Sequence, residues 1–545
     1  DPKATSRIAR TFRKLIFYKP DEFGPFLINI LQSFFQKTEL NQLGAIKILM
    51  LSAFPLISRK NYKKGIFELP RLLDLTLEHL TSHDMKKTAF LLEFYEVVFS
   101  LVPIYHPQDL IETYAKIYDI SEERAIKQKF NEGEEGDIWQ LNEDLSDWAL
   151  KFFRKFINLM KNFELTEGAK SSQTTALVIQ YRNFHSLIFQ SSPRLIRQYQ
   201  DILKSYLEES LKNPPNQFLQ DIIHPLNLRD ADSTLAKLIP LFKNQLLSKG
   251  TKSPDSHTQK ALYYLIQKSS VSAQFHDYEL VVTNKDTLLR ILTVLESVLS
   301  FSSPALLKHR SDLELIIFHC LLHQDHAVFS QAARLIHTIL LSLLSVYPTN
   351  LGSTNPKDFT REEFSNLFKK IGLLPKRNLE LEWHVPNEQE TQYAQELYCL
   401  FFEKNIQELE TLFLSNIQPQ KMNDVSRLET LIDDLNLKNV DISSTQREII
   451  GRSLILLNYT FLGISQRASY CGIAELSKEK GLFEDRFNLS TFNKVRQTLC
   501  SFGNRLVQYT FSSLYVKDPE IGKALVQLIG TIFEEEDQYD ELQRI

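Results

Sequence analysis

The stretch Asn378 to Phe413, NLELEWHVPNEQETQYAQELYCLFFEKNIQELETLF, decides how the rest of the chain is read. Its first part alternates. Leu379, Leu381 and Trp383 point one way and Glu380, Glu382 and His384 the other, which predicts an extended segment with one apolar side. Pro386 biases Val385 away from the α region, so no helix runs through it. Asn387 is then placed to cap a new helix, and Glu390, three residues on, stands where a capping box needs it. Ala394, Leu397 and Phe401, followed by Ile406, Leu409, Leu412 and Phe413, give that helix an apolar stripe. An extended strap anchored by Trp383 feeds a capped helix. An indole on the apolar side of such a strap is read as an anchor between helices, its N–H finding a carbonyl.

Outward from the strap, nearly everything scans as helices joined by short breaks. Before it, helical spacing covers Phe23–Phe35, Asn41–Phe54 (stopped by Pro55), Leu69–Leu80, Lys86–Leu101, Trp148–Phe163, Leu195–Leu211, Leu235–Leu247, His257–Gln267, Asp286–Phe301, Ala305–Leu322 and Ala327–Tyr347 (closed by Pro348). After it come Val425–Leu435, Ser444–Leu462, Ser490–Ser512 and Pro519–Phe533. Helix pairs recur at roughly forty residues, the HEAT/armadillo period. A single pair has too little apolar surface to fold alone, and stacked neighbours bury a continuous core. The expected fold is an all-α solenoid of such pairs. Polar stretches at 130–137 (FNEGEEGD), 167–175 and 248–258 read as surface loops. The expected segments are 1–130, 131–258, 259–350, 351–463 (carrying the strap) and 464–545.

Composition narrows the function. Hydrophobic residues make up 43% and charged residues 24%, ordinary for a globular protein, while Gly numbers only 16, which favours helices over sheets. A net charge of −4 gives no global field for nucleic acid or an anionic membrane, so neither is expected as a direct partner. Cys320, Cys399, Cys471 and Cys500 are scattered without a CxxC pair, which argues for free thiols rather than a disulfide framework. No apolar run reaches the roughly 18 residues a membrane span needs. The start at Asp1 reads as that of a piece of a longer protein.

No catalytic constellation is found: GxSxG and Gly-rich phosphate loops are both absent. His319, His323 and His326 fall at i, i+4 and i+7, a spacing that metal sites use, but without HExxH they read as an ordinary helix end. No metal or cofactor is assigned. Arg59, Lys60, Lys63 and Lys64 crowd a break after Pro55 and are the candidate anion- or phosphate-binding residues. Arg7, Arg10, Arg13 and Lys14 make a basic helix face. Glu534 to Glu541 form an acidic run.

The strap carries a family resemblance. Leu381-Glu382-Trp383-His384-Val385-Pro386-Asn387-Glu388-Gln389-Glu390 resembles a signature stretch of the giant HEAT-repeat proteasome activator family, that of proteasome activator complex subunit four and the fungal bleomycin-sensitivity activator. The leucine-rich helix closing at Tyr347-Pro348 precedes it in the family order. The helix containing Arg452, Leu454, Leu457, Leu462 and Gly463 follows it. Trp383, His384, Val385 and Pro386 are the structural motif. The clear match covers about 286–463 and corresponds to the amino-terminal to middle portion, since Gln543-Arg544-Ile545 is not the family's hydrophobic-Tyr-X docking tail. The resemblance implies a HEAT-like dome on the 20S proteasome core particle. It implies ATP- and ubiquitin-independent gate regulation, peptide or protein substrates, and a place in nucleus and cytoplasm with links to DNA repair. Inositol phosphate is a ligand the resemblance also implies, without a residue match. The rival reading is a nuclear transport receptor of the importin/exportin kind, distinguished by binding Ran-GTP.

Overall fold

Leucine and phenylalanine at spacings of three and four, with few β-branched runs, dictate helices with wide apolar faces. The structure, a computed structural model, describes residues 2–36, 42–81, 84–129, 134–163, 183–210, 219–250, 265–345, 347–350, 356–364, 382–403, 405, 444–465, 523–524, 526–528 and 530. The expected helices at 425–435 and 490–512, most of 257–267 and 519–533, the loop at 167–175 and the acidic run lie outside the described residues, as do Cys471 and Cys500. The chain divides into two compact units. One is 1–237 with 348–383, and the other is 238–347 with 384–545.

In the first unit the helices are α1 (Pro2–Tyr18), α2 (Pro20–Gln36), α3 (Gln42–Ile57), α4 (Leu69–Leu77), α5 (Met85–Leu101), α6 (Pro107–Tyr118), α7 (Glu122–Lys129), α8 (Glu134–Phe163) and α9 (Pro193–Ser210). Proline at the first helical position, as in α1, α2, α6 and α9, loses no bond there because that N–H has no intrahelical partner. Packing follows the solenoid pattern: α1 lies on α2 and α3, α3 on α5, α2 on α4, α4 on α8 and α8 on α9. Two expectations are corrected. Pro55 does not stop α3, which runs on to Ile57. Asn61 Nδ2 donates to the Pro55 carbonyl (2.9 Å) and the Ile16 carbonyl (3.3 Å), pinning the chain just past that end. The acidic stretch at 130–137 is not all loop, because α8 already begins at Glu134, as fits acidic residues at a helix N-terminus.

The core of this unit is aromatic. Trp148 and Phe152, one turn apart on α8, stack at 5.1 Å and 7°, and Tyr95 meets both edge-on at 5.1 Å. Phe156 meets Phe184 at 4.1 Å, and Tyr199 stacks on Phe153 at 4.8 Å. The Tyr95 hydroxyl donates to Thr76 Oγ1 at 3.0 Å, so a buried polar tip is satisfied. Asp109, nearly sealed from solvent, is held by Arg194 Nε at 3.1 Å, and Arg194 also reaches Glu112 at 2.5 Å.

Helix α10 (Leu219–Leu246) carries the chain from the first unit into the second. It breaks at Asp230 (φ −154°, ψ 77°), whose Oδ1 accepts from Ser233 N at 3.0 Å and recaps the second half.

The second unit contains α11 (Lys285–Leu299), α12 (Arg310–Leu321), α13 (His326–Leu344), α14 (Glu388–Tyr398) and α15 (Ser444–Ser465). A short antiparallel ribbon pairs β1 (Leu247–Lys249) with β2 (Tyr278–Leu280), in the register Leu247–Leu280. The strands β3 (Tyr347–Asn350) and β4 (Glu382–His384) form another two-stranded ribbon, of which only Tyr347 and His384 belong to this unit. Here the expectation of a helix through Tyr347 is corrected: α13 ends at Leu344, and Tyr347 opens β3. Helix α13 is the hub, packing on α11, α12, α14 and α15. It is long and apolar enough to cross a membrane by composition alone, and 67% of that window is buried within the protein.

Buried histidines make the fold acid-sensitive. Burial pulls His319, stacked on Phe275 at 4.2 Å, down to about 4, and does the same to His185 and His224. Asp221, raised by burial to about 6, works in the opposite direction in the first unit. A histidine with a depressed pKa stabilises the fold above its unfolded value of 6.5 and loses that contribution as pH falls toward 4. The histidines outnumber the one opposing carboxylate, so unfolding takes up protons in this window. The expected result is a melting temperature that falls between pH 6.5 and 4.5, with the slope reduced in His319→Asn, measured by thermal denaturation at stepped pH.

Candidate functional site

The strap builds its site from the capping signal upward. Asn387 Oδ1 accepts from Glu390 N at 3.0 Å, and Glu390 Oε2 accepts from Asn387 N at 2.6 Å, so both halves of the expected capping box are present. Glu390 does more than cap. Its side chain is fully buried, and Oε1 accepts a short hydrogen bond from Ser303 Oγ. His384, almost as deeply buried, brings Nε2 to 3.2 Å from the same oxygen, as an electrostatic contact outside hydrogen-bond alignment. The His384 ring lies 4.7 Å from the Tyr347 ring, and the Tyr347 hydroxyl donates to the Ser303 carbonyl at 2.6 Å. Burial, then the Glu390 carboxylate, pushes the Tyr347 hydroxyl far above its ordinary range, which keeps it a neutral donor.

The turn before α12 presents Ser303. Phe301 takes the left-handed region (φ 54°), which costs a non-glycine residue about 1–2 kcal/mol. Ser302 N donates to Ser342 Oγ at 3.0 Å, tying the turn to α13. The knot thus gathers Tyr347, His384, the start of α14 and the 301–304 turn around one carboxylate.

Two further arginines brace it. Arg310 on α12 reaches Glu314 at 2.8 Å and Glu396 of α14 at 2.7 Å, and lies 4.3 Å over the Tyr393 ring. Arg452 on α15 donates to the Leu321 and Gln324 carbonyls at 3.2 and 3.1 Å, at the C-terminal end of α12 where a cation is favoured. Near the end of α15, a Cβ on Gly463 would stand 2.8 Å from Leu340 Cβ and 2.9 Å from the His337 carbonyl, so only glycine allows this approach to α13.

The sequence-chosen residues divide. His384 is in the knot, Pro386 is buried and Val385 is half-buried. Trp383 lies in β4, but its side chain falls outside the described residues, so its anchoring role does too. Lys60, Lys63 and Lys64 are exposed on the turn after α3, with Arg59 half-buried beside them. That turn is rigid. Tyr62 is buried, and a Cβ on Gly65 would collide with the Leu56 carbonyl at 1.8 Å. The three histidines do not converge. His319 stacks on Phe275, His323 Nδ1 accepts from Asp325 N at 3.1 Å, and His326 opens α13. Among the described residues, no group of three or more His, Cys, Asp or Glu could hold a metal. Cys320 and Cys399 are free thiols, and burial pushes Cys320 up to about 12.

Ser303, Glu390 and His384 together invite comparison with a nucleophile relay. In such a relay the imidazole stands between hydroxyl and carboxylate. Here the carboxylate stands between the other two, and Ser303 is only 4% exposed. The arrangement locks a chain segment.

Residues 1–465 match the family described as "Proteasome activator complex subunit 4, mid HEAT repeats region". The chain belongs to this family. Its helical packing is that of HEAT repeats. Arg452 and Gly463, singled out in the sequence, are the cation on α12's carbonyls and the close approach to α13. No curated protein matches the sequence. Similar solved structures include an engineered protein from a structural genomics consortium at 12% identity (93% of this chain, 98% of that one, TM-score 0.19). A circular tandem repeat protein of novel repeat topology is 12% identical (99% and 91%, TM-score 0.18), and SYS-1 is 10% identical (97% and 96%, TM-score 0.19). At those TM-scores they carry no argument.

Breaking the knot tests its role. Glu390→Ala strands Ser303 and Asn387 N–H without their acceptor. It is expected to destabilise by about 3 kcal/mol, against about 1 kcal/mol for Tyr347→Phe, read as midpoint shifts in urea unfolding.

Proposed function

We propose that this chain is wall-forming scaffold of an ATP- and ubiquitin-independent activator that caps the 20S proteasome core particle and regulates gate opening and substrate entry. The observation that carries the reading is the family match over residues 1–465. A scaffold whose helices are cross-linked by half-buried ion pairs and a close glycine contact suits a rigid wall, which works by shape and needs no catalytic residues of its own. The substrates would be peptides and unfolded proteins admitted through the opened gate. The protein would work in nucleus and cytoplasm, including at sites of DNA repair.

The full-length protein bearing this segment is expected to co-sediment with 20S particles and to raise hydrolysis of short fluorogenic peptides without ATP. Glu390→Ala would reduce that stimulation several-fold while leaving the core particle's basal rate unchanged. Binding of Ran-GTP, with no effect on 20S particles, would sink the reading in favour of a transport receptor.

Within the same reading, Lys60, Lys63 and Lys64, presented by a rigid turn beside Arg59, form a site for inositol phosphate. Charge-assisted contacts from clustered cations favour a compact polyanion. Calorimetry with inositol hexakisphosphate is expected to show binding that weakens at least tenfold in Lys60→Ala/Lys63→Ala/Lys64→Ala. Equal affinity for that variant would remove the site.

A further inference from the structure

A lysine withdrawn from water is expected to meet a carboxylate. Lys237 bonds Asp201 at 2.6 Å and Lys243 bonds Asp312 at 2.7 Å. Lys87, half-buried in the first turn of α5, has neutral partners instead. Its Nζ donates to Gln42 Oε1 of α3 at 2.7 Å and lies 3.3 Å from Nδ1 of His79, just past α4. Asp84 caps the same helix, its Oδ1 accepting from Lys87 N at 3.0 Å. The surroundings fix this geometry. Thr88 Oγ1 donates to the Thr81 carbonyl at 2.6 Å and accepts from Thr81 N at 3.2 Å, which ties the first turn of α5 to the chain before it. The His79 ring lies 5.3 Å from the Phe35 ring and bonds the Phe35 backbone.

An ammonium can only donate, so the His79 nitrogen that faces it is the unprotonated one. Burial, and then the Lys87 charge, pull His79 below its ordinary range, which keeps that nitrogen free to accept at neutral pH. Burial also pulls Lys87 down, against an opposing effect of Asp84. The other charges that act on the pair are Lys155 of α8, which lowers His79, and the exposed Glu78, which raises it. A neutral amine has two N–H groups and one lone pair. Gln42 and His79 take the two N–H groups, so the lone pair is aimed away from both. A nucleophile stands beside its base.

We propose that Lys87 is a covalent modification site, acylated by small acyl thioesters with His79 as the proton acceptor. The ammonium first gives one proton to solvent. The amine lone pair then attacks the thioester carbonyl and forms the N–C bond. The C–S bond breaks, and sulfur leaves with its electron pair. The proton lost by nitrogen passes to His79 Nδ1 and from there to the thiolate. The products are an N-acyl lysine and a free thiol, and no oxidant or reductant is consumed. Lys155 alongside favours a donor that is itself anionic, as coenzyme A thioesters are. The acylated nitrogen keeps one N–H where two bonds stood, so α5 loses its tie to Gln42 or to His79. The proposal is independent of the proteasome reading and of the 60–64 turn.

Lys86, exposed and next in the chain, is the internal reference. The intact protein is incubated with acetyl-coenzyme A, and cleavage after glutamate leaves both lysines on one peptide, His79 to Glu93, for quantitative mass spectrometry. Lys87 is expected to be acetylated at least about fivefold faster than Lys86, and its rate to rise at lower pH, because its amine is freed at lower pH. His79→Gln keeps an acceptor for the lysine but no base. It is expected to slow Lys87 at least about fivefold and leave Lys86 unchanged, with the same circular dichroism and melting temperature. The proposal is overturned if wild-type Lys86 reacts as fast as Lys87 or faster, as simple shielding of a half-buried amine would give. Coincident pH–rate curves for the two lysines, or an unchanged Lys87 rate in folded His79→Gln, overturn it as well.

Discussion

A carboxylate with no access to water governs the second unit. Taking Glu390 out of solvent costs several kcal/mol unless its lone pairs are filled. Hydrogen bonds from Ser303 Oγ and the Asn387 backbone N–H fill two of them, and the His384 imidazole lies 3.2 Å from Oε1. Asn387 and His384 lie within six residues of Glu390, while Ser303 comes from a turn 87 positions away. The carboxylate is satisfied only when the start of α14 and the 301–304 turn are brought together, and Tyr347 holds that turn through the Ser303 carbonyl. A half-formed knot is worse than none, which makes it a device for choosing one arrangement. The left-handed Phe301 is tolerated because the surrounding contacts over-determine the turn.

Around this knot, α13 is gripped on four sides. Apolar packing supplies most of the attraction, and two details set the distances. Gly463 lets α15 come against the His337 carbonyl, and Arg452 fixes the other end of α15 on the C-terminal carbonyls of α12. The first unit reaches rigidity by other means. Interlocked rings from α5, α8 and α9 fill its core, and the Asp109–Arg194–Glu112 network, extended by Lys357 at 3.2 Å from Glu112, closes one side. Both solutions suit a scaffold built of non-self-sufficient helix pairs, in which each repeat depends on its neighbour for its core.

Much of the local structure was readable in the chain. Asn387 and Glu390 announced a capping box because its donors and acceptors lie within four residues. Ala394, Leu397 and Phe401 announced a buried stripe by their spacing, and all three are buried. The histidines at 319, 323 and 326 shared a spacing but not a role, because spacing along one helix says nothing of the ring that packs against it. Pro55 was read as a stop, yet a proline removes only one hydrogen bond near a helix end, and packing carries α3 past it.

By itself, the sequence determined most of the described helices and their apolar faces, the cap at Asn387 and the family, because each depends on residues close together in the chain or on their order. Only the tertiary structure decided that Tyr347 leaves its helix to open a strand, that Ser303 meets Glu390 across 87 positions, and that Arg452 serves a helix 131 residues away. Such partners are chosen by three-dimensional closure. A buried charge must find its donors wherever folding brings them, and nothing in the local pattern of a serine or an arginine says which carboxylate or carbonyl that will be.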